Sequence, residues 1–366
     1  MAAPEPTLST LRRARALAQG LHRPAGLDVH GSVRRLLAVQ GQDLRSARRA
    51  VRARTAGSTA EEVDAALDDR SLLITWLNRG TLHLVTPDDY PWLLGLTAPT
   101  TLKANERRLR QEGVGAADAE RGVHTIVDAL ADEGPLTRAV LGERLATAGV
   151  PQAGQAIVHL LLLTGLRGLT VRGPVTSASG QAFALTRDWL GTDPPPAALA
   201  GEARDAALTE LARRYLTGHG PATDADLATW AGLGLRDARR GLAAIAGELT
   251  ELGGGVVDFA GRADRAAERD ATLEPRLLGS FDPLVIGWKR RDHVVDPEHQ
   301  PTYFTKNGIL PAVMLVRGRA IGSWALSRSG GGVELRPYDE IPIPAATRRA
   351  LEADGEDLAR FEGRRR

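Results

Sequence analysis

Apolar side chains recur at helical spacing in three stretches near the start of the chain. Residues 8–20 and 32–54 show this pattern, and a loop rich in glycine, proline and histidine separates them. In the second stretch Val33, Leu36 and Leu37 fall close to the i, i+3, i+4 spacing of one buried helix face. A third helix is predicted over Ala60–Asp68, because a Ser-Thr cap precedes it and two glutamates follow in its first turn.

Two strand-like runs follow these helices. They lie in SLLITWLNRGTLHLV, residues 71–85, on either side of the turn-like Asn78-Arg79-Gly80. Three helices followed by a β-ribbon is the element order of a winged helix. Pro87 and Pro91 bound this unit.

An internal repeat follows the first unit. Gly-Pro-Leu-Thr at 134–137 recurs as Gly-Pro-Ala-Thr at 220–223, an offset of 86 residues. Each copy lies between one preceding helix and two following helices, and each segment ends in a strand pair with glycine turns. Such an offset indicates tandem supersecondary units, and chance similarity among Ala/Leu/Arg-rich helices is the other interpretation. A proline run at 194–196 is the predicted linker between the two copies.

From Leu277 the pattern becomes β, with Arg317-Gly318-Arg319 as a turn between two strands. The predicted fold class is therefore α+β, mainly α: three tandem winged-helix modules and a C-terminal β subdomain. The predicted boundaries are 1–115, 116–193, 197–275 and 276–366. The last residues, ending at Arg366, are predicted to form a frayed tail.

Composition excludes several classes of protein. The 366 residues are 43% hydrophobic, which is enough for several cores, and no apolar run approaches the ~20 residues of a membrane helix. The N-terminus lacks the charge order of a signal peptide, so we expect a cytoplasmic protein and no membrane. The chain has no cysteine, and its eight histidines include no H-x-x-x-H pair. We therefore expect neither a metal nor a cofactor, and an aspartate-built magnesium site is the alternative.

Charge is distributed unevenly. Residues 1–54 hold eleven arginines against three acidic residues, a formal charge of +8, whereas the whole chain carries +2. This asymmetry indicates a basic N-terminal surface that faces phosphates. After Asp43, a plausible N-cap, four arginines share one helix face at i, i+3, i+4 and i+7. We call them the arginine stripe: Arg45, Arg48, Arg49 and Arg52. A solvated face is the alternative interpretation of the stripe.

Two amides stand at the break before the arginine stripe. Gln40 and Gln42 lie on either side of Gly41, directly before Asp43. An amide pair beside a cationic face is unusual for packing alone. We interpret this segment as the working site, and as a site that handles a polyanionic nucleic acid.

Several motifs together resemble the winged-helix DNA glycosylases that unhook interstrand cross-links (the AlkZ/YcaQ type). The resemblance rests on LLAVQGQD, RGTLHLVTPDDY, HGPAT…W, and LLGSFDPLVIGWKRRDHVV with VRGRAIGSW, and it covers essentially the whole chain. It implies three tandem winged helices that form a concave DNA-binding face, plus a β subdomain. It also implies monofunctional excision of N7-alkylated purines, including interstrand cross-links and bulky natural-product adducts, for DNA repair or antibiotic self-resistance.

The family's catalytic motif is Gln, a hydrophobic residue, then Gln or Asp. The resemblance places it on Gln40, Gly41 and Gln42, the Gln-x-Gln branch. Gly41 departs from the hydrophobic middle residue, and a glycine loosens the backbone between the two amides.

Two neutral amides suffice for this chemistry if the leaving group is already cationic. An N7-alkylated guanine departs without a general acid, and amide oxygens can hold the attacking water and stabilise an oxocarbenium-like sugar. We assign Gln42 to the water and Gln40 to the deoxyribose or lesion, or the reverse. Asp43 as a general base is a further alternative to its N-cap role. No lysine lies nearby, which disfavours a Schiff-base lyase step.

Further DNA contacts are predicted at three positions. Arg79 lies at the ribbon turn and suits a phosphate. His83 shares a ribbon face with Thr81, and it either faces the site or hydrogen-bonds within the sheet. His219 either faces DNA or contacts the last carbonyls of its own helix.

The predicted partner is double-stranded DNA that carries alkylated purines, bound by a nucleoid-associated monomer. A non-catalytic winged-helix DNA-binding protein or regulator is the alternative function. A regulator would need a cationic recognition helix in each module, and the helix over 151–164 has no Arg or Lys. A relative that binds lesions without cutting them is a third possibility, since Gly41 departs from the motif.

Overall fold

A computed structural model describes residues 6–22, 26–177, 180–262, 273–303, 308, 310–327, 332–338 and 342–363. These residues form a mainly helical α+β fold, as predicted. The predicted tail residues Arg364–Arg366 lie outside the described ranges.

The helices are α1 Leu8–Ala18, α2 Val29–Leu36, α3 Leu44–Arg52, α4 Ala60–Asp68, α5 Tyr90–Gln111, α6 Ala116–Glu133, α7 Arg138–Thr147, α8 Ala156–Leu166, α9 Thr186–Leu190, α10 Gly201–His219, α11 Asp224–Ala231, α12 Leu235–Ala244, α13 Pro283–Ile286, α14 Gln300–Tyr303 and α15 Ala345–Phe361. The strands are β1 Val39–Gln40, β2 Leu73–Leu77, β3 Thr81–Val85, β4 Thr170–Ser177, β5 Gly180–Leu185, β6 Leu249–Glu251, β7 Val257–Phe259, β8 Arg276–Leu278, β9 Val313–Val316, β10 Arg319–Leu326 and β11 Val333–Pro337. Short 3-10 turns cover Asn78–Gly80, Ala246–Glu248 and Pro297–His299.

The chain divides into two compact units. Unit 1 comprises Met1–Val63, Thr209–Trp230 and Gly234–Arg366, and unit 2 comprises Asp64–Leu208 and Ala231–Leu233. The predicted boundaries 1–115, 116–193, 197–275 and 276–366 divide the chain more finely, and they stay a prediction.

Unit 1 contains an antiparallel sheet in the order β11-β10-β9-β8. Helix α15 covers this sheet, and the shared core consists of Leu277, Met314, Trp324, Leu351 and Leu358. The predicted β pattern after Leu277 is confirmed in β8 to β11, but it is wrong over Pro283–Ile286, which form helix α13. The turn at Arg317-Gly318 is confirmed, and both residues have positive φ. Helix α15 was not predicted.

Unit 2 contains two hairpins and the long helix α5, which was not predicted from the sequence. β2 pairs with β3 around the predicted turn, with Leu73 opposite Val85. Helix α5 continues through Pro99, where a break is the usual outcome. The continuation is possible because the Gly95 carbonyl, which Pro99 cannot bond, accepts the Leu199 N–H at 3.0 Å.

The two copies of the repeat have the same element order. Each has a helix, two further helices and a hairpin, as α6-α7-α8-β4-β5 and as α10-α11-α12-β6-β7. In each copy the residue before the second helix's cap forms a bridge to the hairpin's second strand, Leu136 with Phe183 and Ala222 with Val257. Thr137 and Thr223 then accept backbone N–H groups of the helix that follows. This is the order of a winged helix.

A buried ion pair fixes the centre of unit 1. Arg54 and Asp282 have no exposed side-chain surface, and the two guanidinium nitrogens of Arg54 meet the two carboxylate oxygens at 3.0 and 2.8 Å. The same guanidinium also donates to the Ala50 carbonyl and to Gln19 Oε1. Such a cation has no water to replace a lost partner.

We predict that Asp282→Asn destabilises the protein by about 3–5 kcal/mol, because it leaves the Arg54 charge buried without its counter-ion. Denaturant unfolding measures this change. Asp224→Asn is the matched control, since its pair with Arg239 is exposed, and we expect less than about 1 kcal/mol there. Equal effects of the two variants would contradict the prediction.

Candidate active site

The candidate motif follows a strained turn. Helix α2 begins at an Asp28 cap and ends at Leu36. Leu37 has φ 65° and ψ −49°, and the Ala38 N–H donates to the Leu36 carbonyl at 2.8 Å. This is a γ-turn of the rare kind with positive φ, which costs energy in a residue with a branched side chain. The Leu37 side chain is fully buried, so core packing holds the turn.

The two glutamines follow directly, and neither is buried. Gln40 ends the short strand β1 and is partly exposed, Gly41 is buried, and Gln42 is exposed. Gln42 is therefore the more exposed of the two residues.

Asp43 caps the next helix, as predicted. One carboxylate oxygen accepts the Arg45 N–H at 3.2 Å, and the other accepts the Ser46 hydroxyl at 2.6 Å. Both oxygens therefore accept hydrogen bonds in the first turn of α3, as expected of an N-cap, and the alternative role as a general base stays a prediction.

Helix α10 contacts the backbone of the last turn of α2. Arg214 donates to the Arg34 carbonyl at 2.9 Å. Gly218 lies so close that an added Cβ would come within 2.3 Å of the Arg35 carbonyl oxygen. Arg35 itself donates to the Ala18 carbonyl at 2.5 Å. These contacts fix the last turn of α2, from which the motif emerges.

The prediction that the arginine stripe faces DNA is wrong for three of its four members. Arg48 is buried, and Arg52 is 2% exposed and pairs with Asp354 and Asp357. Arg49 pairs with Glu362 at 2.6 Å and stacks over Trp324. Arg49 and Arg52 face α15 and the sheet of unit 1, and a guanidinium can be buried when planar carboxylates meet it. The acidic partners lie about 300 residues away along the chain, where local spacing cannot reveal them.

Two cations remain exposed near the motif in sequence. Arg45 begins α3, as predicted, and its contact with DNA stays a prediction. Arg34, in the last turn of α2, is also exposed, and the sequence analysis did not select it. Its position in the last turn of α2, directly before the break at Leu37, could have indicated that it lies near the motif in sequence.

The ribbon residues lie in unit 2 and have different surroundings. Arg79 is exposed at the turn with φ 59°, and its phosphate contact stays a prediction. His83 is buried, its Nδ1 lies 2.9 Å from the Thr81 carbonyl, and burial lowers its pKa to about 3. The assignment of His83 to DNA is therefore wrong, and the alternative, a hydrogen bond within the sheet, is confirmed.

His219 is likewise a core residue, and its assignment to DNA is wrong. It has no exposed surface and stacks on Tyr215 with ring centroids 4.9 Å apart, beside Trp230 and Trp288. Burial, and then the positive charge of Arg54, lowers its pKa to about 3. A neutral ring suits this apolar cluster.

Comparisons with known proteins identify the family. The model of the family described as "DNA glycosylase AlkZ-like" matches residues 33–361. A curated relative from Streptomyces sahachiroi, "Interstrand DNA cross-link repair glycosylase", is 29% identical over 363 residues, which cover 93% of this chain and 92% of the relative. The solved structure of the Streptomyces sahachiroi DNA glycosylase AlkZ matches with a TM-score of 0.80 and 25% identity, over 98% of this chain and 97% of that chain.

These matches define the class as DNA N-glycosylases, enzymes that act on DNA. The chain belongs to the DNA glycosylase AlkZ-like family. The alternative of a non-catalytic regulator finds no support in this family. Within the described ranges, no helix has the length and apolar character to cross a membrane, and His, Asp and Glu side chains form no group of three that could hold a metal ion.

The low pKa of His219 predicts a pH dependence of stability. An unfolded histidine takes up a proton near pH 6.5, whereas the folded one does so only near pH 3. The contribution of His219 is therefore complete above about pH 6.5 and falls by about 1.4 kcal/mol per pH unit as the pH drops toward 3. We expect His219→Phe, which keeps a stacked ring, to remove this part of the slope.

Urea unfolding between pH 6.5 and 4 measures the slope of the free energy of unfolding. His124→Gln is the control, since it removes an exposed histidine. An unchanged slope in His219→Phe would mean that the ring does not stay neutral in the folded protein.

Proposed function

We propose that the chain hydrolyses the N-glycosidic bond of cationic N7-alkylated purines in duplex DNA, including purines within interstrand cross-links. Gln40 and Gln42 act at the reacting sugar. The observation that carries the proposal is that neither amide is buried, although the turn before them and the cap after them are both fixed. The name of the Streptomyces sahachiroi relative, a cross-link repair glycosylase, supports the substrate class.

The reaction begins with the purine leaving group. Its N7 substituent makes the base cationic, so the electron pair of the C1′–N9 bond neutralises that charge as the bond breaks. The sugar becomes an oxocarbenium-like cation, and the oxygen of a water molecule adds to C1′ and releases its proton to solvent. No group must protonate the base, in contrast to most glycoside hydrolysis.

Amide oxygens suit both remaining tasks. A neutral carbonyl oxygen can accept a hydrogen bond from water and can stabilise positive charge on the sugar. We assign Gln42, the more exposed amide, to the water, and Gln40, the partly buried amide, to the deoxyribose. We assign Asp43 to the N-cap of α3, where both of its oxygens accept hydrogen bonds. The enzyme should therefore be poor on neutral bases.

Phosphate contacts around the motif come from exposed cations. Arg34 and Arg45 lie before and after the motif, and each presents a guanidinium to solvent. Arg79, at the ribbon turn of unit 2, is a separate candidate for a phosphate contact. A nucleoid-associated monomer in the cytoplasm is the form in which we expect the enzyme to work.

Excision of a single modified base tests the proposal. Wild-type protein should release free N7-methylguanine from a duplex that carries one such base. We expect at least one of Gln40→Ala and Gln42→Ala to release it about 100-fold more slowly, the typical cost of one lost transition-state contact. Duplex binding should change little, and a uracil-containing duplex should yield no free base.

Gln155→Ala is the matched control, since Gln155 is exposed and belongs to unit 2. Tight binding without release by wild-type protein would support a lesion-binding protein instead. If the Gln40/Gln42 double variant still released N7-methylguanine at the wild-type rate, other residues would have to carry out the reaction.

A further inference from the structure

Helix α5 carries a second row of cations, in unit 2. Lys103, Arg107 and Arg110 follow one another at i, i+4 and i+7, and all three are exposed. We call these three residues the α5 stripe. Within the ranges that the structure describes, no carboxylate forms an ion pair with any of them.

The other charges of α5 have partners elsewhere. Arg108 pairs with Glu112 at 2.8 Å, and Glu112 also accepts the Gln155 N–H. Glu106 raises the pKa of Arg167 through its charge, after larger effects from Glu120. Glu106 lies one helical turn from Lys103 and Arg110, so this face of α5 carries three cations against one exposed carboxylate.

The opposite side of α5 packs on α8. Asn105 donates to the His159 carbonyl at 2.9 Å and contacts the His159 ring at 2.8 Å, and Leu109 is buried. At 3.6 residues per turn, the α5 stripe lies on the side of the helix away from Asn105 and Leu109. Contact with α8 therefore turns the three cations outward.

Helix α8 occupies the place of a recognition helix in its winged-helix order, yet it has no Arg or Lys. Most of its side chains are buried, and α5 lies against it. A helix that is apolar and covered cannot read a groove. Helix α5, which packs on α8, presents exposed cations instead.

We propose that the α5 stripe binds the phosphates of duplex DNA in place of α8. The stripe spans eight residues, about 10 Å of helix, and one DNA strand presents a phosphate about every 3.4 Å along its axis. This length covers about four phosphates, so each of the three cations can contact one phosphate of such a run. The inference uses only DNA as the substrate of the family, and it does not depend on which base is removed.

Salt dependence of binding tests the proposal on an undamaged duplex. Each phosphate contact contributes about 0.9 to the slope of log affinity against log salt concentration. We expect the triple variant Lys103→Gln/Arg107→Gln/Arg110→Gln to bind more weakly and to lower that slope by about two to three. Arg107→Gln alone should lower it by about one, and this single variant serves if the triple variant fails to fold.

The matched control removes the same charge from the same unit. Arg121→Gln/Arg144→Gln/Arg187→Gln replaces three arginines that are exposed but have carboxylate partners. We expect its slope to equal that of wild type. An equal drop in both triple variants would show an effect of net charge alone and would overturn the proposal.

A second experiment tests whether the α5 stripe binds an anionic membrane surface instead of DNA. Vesicles that contain phosphatidylglycerol are sedimented with wild-type protein and with the α5-stripe variant. An unchanged DNA slope together with lost vesicle binding would assign the α5 stripe to a membrane surface and overturn the proposal. Release of N7-methylguanine by wild-type protein is measured separately, so the failure of either proposal leaves the other one testable.

Discussion

The structure of unit 1 depends on the close contact between α10 and the end of α2. Gly218 leaves no room for a side chain against the Arg35 carbonyl, and Arg214 bonds the carbonyl next to it. This contact fixes the last turn of α2, and the γ-turn at Leu37 then directs the chain into Gln40. We propose that the motif works with its two neutral amides. The backbone before these amides is held by the contact with α10.

The positive charge of the N-terminal segment has two uses. Arg49 and Arg52 bind carboxylates that join α3 to the C-terminal helix, and Arg54 binds Asp282 at the start of α13. Arg34 and Arg45 are exposed, and we propose that they bind phosphates. Both helices next to the motif are thus fastened by arginine, α2 through Arg214 and α3 through its own stripe. The arginines that stabilise the site are different residues from those that we propose to touch DNA.

The features that depend on residues close together in the sequence were predicted correctly. Helix α4, the turn at Asn78–Gly80, the Asp43 cap and the repeat all follow from spacing and capping rules. Features with distant causes were missed. Helix α5 continues through Pro99, and the N–H of Leu199 donates to the Gly95 carbonyl that Pro99 leaves without a partner. Arg52 is buried in an ion pair with Asp354, which is far away along the chain. His219 and His83 are buried by tertiary packing, which the alternation of side chains along one strand or helix does not report. The family resemblance predicted the position of the glutamine motif. The three-dimensional structure was needed to distinguish the exposed arginines near the motif from the buried ones.

Hydrogen exchange in Gly218→Ala tests the central claim most directly. The added methyl group meets a backbone carbonyl, which cannot move aside as a flexible side chain can. We predict that the backbone amides of residues 38–42 exchange faster than in wild type. Gly247→Ala should leave them unchanged, since nothing lies within 4 Å of its added Cβ. Unchanged exchange at residues 38–42 in Gly218→Ala would show that the motif keeps its conformation without this contact, and would contradict the account.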